Sequence, residues 1–564
     1  MPQLVLPFTQ QNKADKHAEG FDQQCSVYRL LPPPLQEASK KSGHLLEYLH
    51  CLPFEKIGMP EYYPKLSRQL GDLKVRNLIY PVSDKIYIHV YSGSQEVRDL
   101  YIPIEPTMSQ DLDEIMREVE ARLIDFTDEL EHVSNDEERK KILLSCVDKV
   151  CTTNGDKSKK KVKVTPAQLE GIKYLIARDK VGLGILEPLI HDSNIEDISC
   201  SGIGHIFLEH KIFKSLKCAI NINTFEELDE FILRLSERIG KPVTLRNPIV
   251  DAVLPDGSRI NIIYGREVAK RGSNFTIRKF AETPLSVLEL VEFKSLDYKM
   301  AAYLSMVMGE GMNVFVAGET ASGKTTLLNA ITTFIPPTAK IVSIEDTPEL
   351  QVPHKNWIRE VSRTAKTGDN MAGVSMFDLL KAALRQRPNM IIIGEIRGEE
   401  GNVAFQAMQT GHSVMATFHA ASVERLIQRL TGNPINVPKT YIDNLNVVVI
   451  QSAVKLPNGK MGRRALSISE IVGYDPLSNS FSYVEVFRWN PEKDNFEFVG
   501  YKNSYLLEQK IAFKRGIPAD KKWKIYDDLD RRAKILEKLH KEKGVKNFYE
   551  LLDVLAKAQQ QGLF

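Results

Sequence analysis

Residues 318–325, Gly-Glu-Thr-Ala-Ser-Gly-Lys-Thr, could bind phosphate because they meet every position of the pattern G-x-x-x-x-G-K-[ST]. In that pattern, glycines let backbone N–H groups close around a triphosphate, and the following helix N-terminus adds about half a positive charge. The pattern places Lys324 on the outer phosphates and the Thr325 hydroxyl on Mg²⁺. The predicted site for a nucleoside triphosphate comprises Gly318, Glu319, Thr320, Ala321, Ser322, Gly323, Lys324, Thr325 and Thr326.

Two carboxylate clusters could act on such a phosphate. Glu395 follows the apolar run 390–394, and the pair Glu345-Asp346 follows the apolar run 340–344. Both runs indicate buried parallel strands, whose carboxyl ends meet at the edge of the sheet where ligands bind. Glu395 is therefore the candidate Walker B acid. Acids at strand ends can also be solvated or can cap a helix, so either cluster alone leaves both interpretations open.

The elements around the loop have the order that phosphate binding requires. The run 312–317 is apolar and rich in β-branched and aromatic residues, which indicates a buried strand, and residues 324–334 favour a helix. Further apolar runs at 413–418 and 446–450 alternate with helical segments. This alternation predicts an α/β fold whose C-terminal part is a doubly wound parallel sheet covered on both faces.

Composition excludes several classes of protein. Lys and Arg total 75 against 73 Asp and Glu, so the whole chain lacks the basic surface of an obligate nucleic-acid binder. The six cysteines have no C-x-x-C spacing, which argues against a zinc module or a disulfide framework. No apolar stretch approaches the roughly 20 residues that span a bilayer, and the N-terminus is too polar for a secretory signal. We expect a cytoplasmic protein.

Changes in composition along the chain predict five segments. Residues 1–44 are rich in Gln, Lys and Pro and predict a flexible leader. Residues 45–151 predict a small α/β or α+β domain, and 152–165 a Lys-rich linker. Residues 166–281 predict a second α+β domain. Residues 282–564 predict the domain that carries the phosphate site, with a hairpin and helices at its C-terminal end.

Four motifs in order resemble the secretion-type ATPases of type II and type IV secretion, pilus assembly and the archaeal flagellum. They are GETASGKTT, SIEDTPEL, the run from ALRQRPNMIIIGEIRGEE to GHSVMATFHA, and the upstream LPDGSRINI with FTIRKF. The resemblance is specific from about 182 to 473. The C-terminal hairpin and helices look most like the archaeal flagellum (archaellum) motor. This resemblance implies a RecA-like ATPase domain that uses ATP and Mg²⁺.

The resemblance also implies roles for individual residues. It makes Glu345 the general base and gives Glu395 a part in holding Mg²⁺ and the attacking water. His412 and His419 match the histidine box, which senses the γ-phosphate or links nucleotide state to a neighbouring subunit. Without the family, two histidines seven residues apart on a strand would face opposite sides of the sheet.

Three arginines match the family's phosphate-contacting positions. Arg259 and Arg278 resemble arginines sent from the preceding domain, and Arg385 resembles an intersubunit arginine. A guanidinium can hold two phosphate oxygens at once. Many family members have glycine at the position of Ala321, and a side chain there predicts a loop backbone outside the left-handed region.

These features lead to one principal hypothesis and two alternatives. The first is a ring-forming ATPase, a homo-oligomer such as a hexamer, that works at the inner face of the cell membrane. It would act with a polytopic membrane platform protein and other filament motor components to assemble, and in one form rotate, a filament. The alternatives are a nucleic-acid translocase, which balanced charge disfavours, and a scaffold that binds ATP without hydrolysing it.

Overall fold

The computed structural model describes residues 3–4, 25–93, 97–107, 112–129, 133, 135–153, 161–280, 283–363 and 373–564. The chain divides into two compact units, Met1–Ala281 and Glu282–Phe564.

The N-terminal unit combines strands and helices throughout its length. Its strands are β1 (Gln3–Leu4), β2 (Glu61–Tyr62), β3 (Asn77–Pro81), β4 (Tyr87–Tyr91), β5 (Asp99–Ile104), β6 (Cys151–Thr152), β7 (Val162–Lys163), β8 (Ile195–Cys200), β9 (Gly204–His210), β10 (Lys214–Ile222), β11 (Ile249–Val253), β12 (Arg259–Ile263) and β13 (Asn274–Arg278). Its helices are α1 (Ser26–Leu30), α2 (Pro33–Lys41), α3 (Gly43–His50), α4 (Phe54–Ile57), α5 (Asp113–Leu123), α6 (Asp136–Val150), α7 (Pro166–Ile176), α8 (Glu187–His191) and α9 (Phe225–Arg238).

One sheet of eleven strands runs through this unit, in the order β11-β12-β13-β8-β9-β10-β5-β4-β3-β2, with β1 paired to β10. The seam between early and late strands is the parallel pairing of β5 with β10, in which Leu216 lies opposite Asp99. The expectation of two separate domains at 45–151 and 166–281 is therefore wrong, because a single sheet joins them. Sequence patterning identified strands on both sides but carried no signal for pairing between residues 117 positions apart, such as Asp99 and Leu216.

A buried carboxylate reinforces this seam. Asp192, which follows α8, accepts hydrogen bonds from the Tyr80 hydroxyl at 2.6 Å and the Tyr101 hydroxyl at 2.9 Å. Its other oxygen accepts from the backbone N–H of Asn194 at 2.8 Å. Because Tyr80, Tyr101 and Asp192 are buried, removal of any one would leave a buried polar atom without one of its partners.

The described part of the expected leader is folded. Helices α1, α2 and α3 occupy much of 25–50, and their apolar residues, Leu35 and Leu45 among them, pack on strand residues such as Ile79 and Ile102. A flexible leader is thus wrong for 25–44, because apolar residues at helical spacing lie among the polar ones; residues 5–24 lie outside the described part. The expected linker is described only at its ends, where β6 pairs with β7, and 154–160 lie outside the description.

The C-terminal unit contains the phosphate-loop pattern. Its strands are β14 (Val314–Gly318), β15 (Ile341–Glu345), β16 (Trp357–Val361), β17 (Met390–Ile396), β18 (Ser413–Phe418), β19 (Val447–Lys455), β20 (Met461–Asp475), β21 (Ser480–Asn490) and β22 (Asn495–Phe498). Its helices are α10 (Val287–Glu292), α11 (Tyr298–Gly309), α12 (Lys324–Ile331), α13 (Met376–Arg385), α14 (Glu400–Gln409), α15 (Val423–Thr431), α16 (Ala512–Lys514), α17 (Lys524–Lys541) and α18 (Phe548–Gln560).

These strands form one sheet in the order β16-β15-β17-β18-β14-β19-β20-β21-β22. The first six are parallel, and the last three add antiparallel strands. Val314 and Val316 of β14 enter one hydrophobic cluster, whereas Phe315 and Ala317 enter another. Since the two sets point to opposite faces, both faces of the sheet are covered, and the predicted α/β doubly wound class is confirmed.

Two strands of this sheet escaped prediction. β16 is a short edge strand with charged residues inside it, and β20 has Arg, Ser and Glu between its apolar residues. Both lack the continuous apolar run that marks a strand buried on two faces.

A buried glutamate anchors the C-terminal helical segment to the sheet. Glu470 in β20 accepts hydrogen bonds from the Tyr303 hydroxyl at 2.7 Å, the Ser504 hydroxyl at 2.6 Å and the Leu506 backbone N–H at 3.0 Å. Burial raises the pKa of its carboxyl, and these donors oppose that rise. Among the described residues, no helix combines the length and apolar composition needed to span a bilayer.

We predict that Glu470→Ala lowers the free energy of unfolding of the C-terminal unit by about 3 kcal/mol, because three buried donors lose their acceptor. Urea denaturation followed by tryptophan fluorescence measures this, since all three tryptophans lie in that unit. The matched control is Glu485→Ala, which removes a partly exposed carboxylate from the adjacent strand and should cost under about 0.5 kcal/mol. Equal effects would contradict the anchoring role.

Candidate phosphate-binding site

The phosphate loop, residues 318–325, connects β14 to α12. Gly323 has φ 92°, and Ala321 has φ 60°, so the loop passes through the left-handed region at two residues. The expectation that Ala321 lies outside that region is wrong. A Cβ in this conformation costs roughly 1–2 kcal/mol relative to glycine.

The loop is packed too tightly for larger residues at its start. An ideal Cβ on Gly318 would lie 2.1 Å from the Gln451 carbonyl oxygen of β19 and 2.6 Å from Ser322 Oγ. The Lys324 amine donates to the Glu319 carbonyl at 2.9 Å. The amine is thus held against the backbone of the loop.

Polar atoms beneath the loop lack protein partners. Ser322 Oγ and Gln451 Oε1 are buried and have no hydrogen-bond partner in the described part of the chain. The Gln451 amide nitrogen donates to Ser295 Oγ at 2.9 Å. The Ser322 hydroxyl can donate to an anionic ligand beside the backbone N–H groups of the loop, whereas Gln451 Oε1 can only accept a hydrogen bond.

Glu345 ends β15 and is almost fully buried. Its Oε1 accepts from the backbone N–H groups of Glu349 at 2.6 Å and Leu350 at 2.7 Å, and its Oε2 lies 3.3 Å from Arg359 Nε. Burial raises the pKa of this carboxyl, while the backbone donors and Arg359 oppose the rise. A raised pKa suits a group that exchanges a proton near neutral pH.

Glu395 in β17 lies close to the loop lysine. Burial lowers the pKa of Lys324, and the Glu395 carboxylate opposes this. Arg397 Nε donates to Glu395 Oε2 at 2.9 Å, which raises the pKa of Arg397. The structure thus brings a carboxylate, a lysine and an arginine together at the carboxyl edge of the sheet.

Glu349 is a carboxylate that motif spacing did not single out. It acts electrostatically on both Lys324 and Arg397. It lies in the same SIEDTPEL segment as Glu345, four residues later, in a turn closed by hydrogen bonds to Glu345. That segment therefore supplies one buried acid and one acid near the lysine.

The two predicted histidines lie at opposite ends of one strand. His419 follows β18 at the carboxyl edge, on the side of the phosphate loop, whereas His412 precedes it. A six-residue strand spans about 20 Å, so the two imidazoles do not form one site within this chain. Arg385 ends α13 just before β17 and is exposed at the same edge as His412.

The remaining arginines lie in the N-terminal unit. Arg259 begins β12, Arg278 ends β13, and the two are direct cross-strand partners. Arg278 also lies opposite Asp197 of β8, whose carboxylate interacts with it electrostatically. The structure thus joins two arginines that the sequence places 19 positions apart.

A divalent cation at the phosphate loop would have few ligands from the protein. Within the described residues no group of three His, Cys, Asp or Glu side chains is arranged to hold a metal ion. The Thr325 hydroxyl and the Glu395 carboxylate are oxygen donors of the kind that Mg²⁺ prefers, and Mg²⁺ takes its other ligands from phosphates and water. The donor chemistry fits a magnesium–nucleotide complex.

Comparison with known proteins places residues 179–467 in the family described as type II/IV secretion system protein. An uncharacterised protein of Methanocaldococcus jannaschii is 42% identical over 544 residues, which are 94% of this chain and 97% of that protein. The type IV secretion system protein PtlH of Bordetella pertussis is 31% identical over 274 residues, covering 44% of this chain and 79% of PtlH. The crystal structure of the Legionella pneumophila ATPase DotB aligns with 20% identity and a TM-score of 0.38, over 52% of this chain and 81% of DotB.

Gly394→Ala should disturb the acidic site. An ideal Cβ on Gly394 lies 3.2 Å from Glu345 Cγ, and the hydrogen bonds of Glu345 limit its movement. We expect a loss of about 1–3 kcal/mol in the stability of the C-terminal unit, measured by urea denaturation with tryptophan fluorescence. Gly309→Ala is the control, since no atom lies within 4 Å of its added Cβ; it should be neutral or stabilising. If both variants match the wild type, the packing argument fails.

Proposed function

The chain belongs to the type II/IV secretion system protein family, and from that premise we propose that it is an ATPase that converts ATP hydrolysis into mechanical work. The observation that carries the proposal is the phosphate loop with Lys324 at the N-terminus of α12 and Glu395 beside it. A site that only bound ATP would not need two further acids at the same edge. Residues 345 and 349 supply them.

In the proposed reaction each group has one task. The loop N–H groups and Lys324 would hold the phosphates, and Thr325 and Glu395 would hold Mg²⁺, which when bound would supply positive charge against the phosphate oxygens. Glu345 takes a proton from the attacking water. The resemblance assigns to Arg259 and Arg278 the stabilisation of negative charge that develops on the transferred phosphoryl group.

The position of Arg385 and His412 supports a homo-oligomer. Both lie about 20 Å, one strand length, from the edge that carries the phosphate loop, so neither can reach a nucleotide bound in the same chain. In a closed ring, such as a hexamer, they would act at the boundary with a neighbouring copy. His419 lies at the nucleotide edge of its own chain.

For the work performed, we propose assembly of an archaeal type IV pilus-like filament such as the archaellum, through a polytopic membrane platform protein and other motor components. The near full-length match to a Methanocaldococcus jannaschii protein supports an archaeal setting. Secretion or pilus assembly by the same chemistry is the alternative, in keeping with the name of PtlH. Co-purification of the full chain from native membranes, followed by mass spectrometry, would identify the platform.

One lysine substitution and one glutamate substitution test the proposed ATPase activity. Lys324→Ala should abolish ATP binding, and Glu345→Gln should keep ATP binding but lower kcat at least 100-fold, because the base is lost. Phosphate release and equilibrium ATP binding measure the two effects. Glu349→Gln is the matched comparison within the same turn and should lower kcat less.

Wild-type turnover in both Lys324→Ala and Glu345→Gln would reject the site. A larger loss in Glu349→Gln than in Glu345→Gln would move the role of base to Glu349. Stimulation by single-stranded DNA with a steep salt dependence would instead favour a translocase.

The decrease of kcat at low pH should follow the protonation of Glu345. Its pKa is raised and the base must be ionised, so kcat should fall on acidification with a midpoint above about 4.3, the value for an ordinary glutamate. Arg359→Met removes a charge that lowers this pKa and should move the midpoint to higher pH. Arg488→Met, on an exposed arginine, should not. A midpoint unmoved by Arg359→Met would contradict the assignment.

A further inference from the structure

The hairpin formed by β19 and β20 reaches the phosphate loop. Gln451 of β19 lies opposite Gly318, the first residue of the loop, in the parallel pairing with β14. The antiparallel pairing of β19 with β20 shifts register between Ile450 and Gln451. Such irregularities redirect the strands that follow them. The segment beyond this shift, residues 451–465, is called the outer hairpin.

Arg463 of the outer hairpin contacts the loop at two points. Its Nε donates a hydrogen bond to the Ala321 carbonyl oxygen at 3.1 Å. Its Cδ lies 3.2 Å from the position that a Cβ on Gly323 would take. The side chain therefore lies against the open face of Gly323 and binds the backbone two residues earlier.

Ala321, whose carbonyl accepts the hydrogen bond from Arg463, has a strained backbone. Ala321 has φ 60°, a conformation that an L-residue other than glycine keeps only when its surroundings hold it there. Arg463 binds the carbonyl of this residue, so its hydrogen bond favours the strained conformation directly. Ala321 itself is exposed, so it is not held by burial.

The neighbouring arginine fixes the strand from which Arg463 projects. Arg464 is buried and makes a two-point contact with Asp494, with Nε–Oδ1 at 2.7 Å and Nη2–Oδ2 at 2.9 Å. Its Nη1 also donates to the Phe293 carbonyl at 3.1 Å. Arg463, in contrast, forms no ion pair with any residue that the structure describes, so its hydrogen bond to the loop has no competing carboxylate.

We infer that Arg463 is a positioning residue: it holds the phosphate loop in its anion-binding shape by stabilising the left-handed conformation of Ala321. The inference deepens the proposed function, on which its nucleotide readout rests. It assigns the outer hairpin a direct part in ATP affinity. Arg463 acts through the loop backbone and takes no proton in the reaction.

The experiment compares Arg463→Met, which keeps the aliphatic contact but loses the N–H donor, with Arg488→Met, which removes an arginine from neighbouring β21. Hydrogen exchange of the nucleotide-free protein is the first readout. Arg463→Met should speed exchange of the amides in 319–323 about tenfold and leave those of β17 unchanged. This readout does not depend on ATP, so it tests the inference even if the proposed function fails.

The second readout is the equilibrium dissociation constant for ATP together with kcat. Arg463→Met should weaken ATP binding about tenfold and change kcat at saturating ATP much less, because the loop is rebuilt once ATP is bound. Adding Ala321→Gly should restore most of the affinity, since glycine adopts positive φ without support.

Recovery of ATP affinity in the double variant would show that Arg463 acts by positioning the loop. If Arg463 merely stabilised the folded protein, a glycine in the loop would not restore the affinity. The inference is overturned if loop exchange in Arg463→Met equals that in Arg488→Met. It is also overturned if ATP affinity is lost without recovery in the Ala321→Gly double variant. If the wild type does not bind ATP but loop exchange is faster in Arg463→Met, the proposed function is contradicted and the inference is supported.

Discussion

The geometry of the site depends on one constraint: several backbone N–H groups must point at one anion. The helix N-terminus directs some of these groups without strain, but the bend before it turns through the left-handed region, which L-residues resist. In this protein Gly323 turns without strain and Ala321 turns with it. The constraint explains the crowding around the loop, since Gly318 has no room for a side chain and Gln451 lies directly beneath. Strain in the loop is held by packing from strands that follow it in sequence.

A second theme is the use of buried carboxylates as joints. Asp192 binds two tyrosines of the early strands β3 and β5 in the N-terminal unit, and Glu470 links a helix, a strand and the C-terminal segment. Glu345 belongs to the same group, since it closes the turn that follows its own strand. Among these three, Glu345 differs because its turn places another acid near the loop lysine. The same hydrogen bonds that stabilise the turn therefore set the electrostatics of the site.

Much of the C-terminal unit could be predicted from its sequence. The continuous apolar runs around 314, 341, 390, 413 and 447 became parallel strands because strands buried on both faces need such runs. The phosphate loop followed from its glycines. Strands β16 and β20 could not be found in this way, because polar residues interrupt them. The left-handed conformation of Ala321 could not be predicted either, because alanine prefers negative φ and the packing around the loop determines its conformation.

The N-terminal unit resisted prediction for another reason. Its helices near residue 35 lie among prolines and glutamines that suggested a leader, and its sheet is closed by a pairing between residues far apart in sequence. Local pattern carries no information on such partners. For Arg259 and Arg278, motif resemblance named the residues, while only the register of β12 and β13 showed that they face each other.

The parallel seam between β5 and β10 has a consequence for how the protein is made. Until residue 222 has left the ribosome, the nascent chain carries β5 as an unsatisfied edge, with Tyr101 lacking its carboxylate acceptor. Translation of the intervening stretch, at roughly 5–20 residues per second, leaves that edge open for several seconds. Synthesis therefore creates an interval in which chaperones or premature aggregation compete for the first hundred residues.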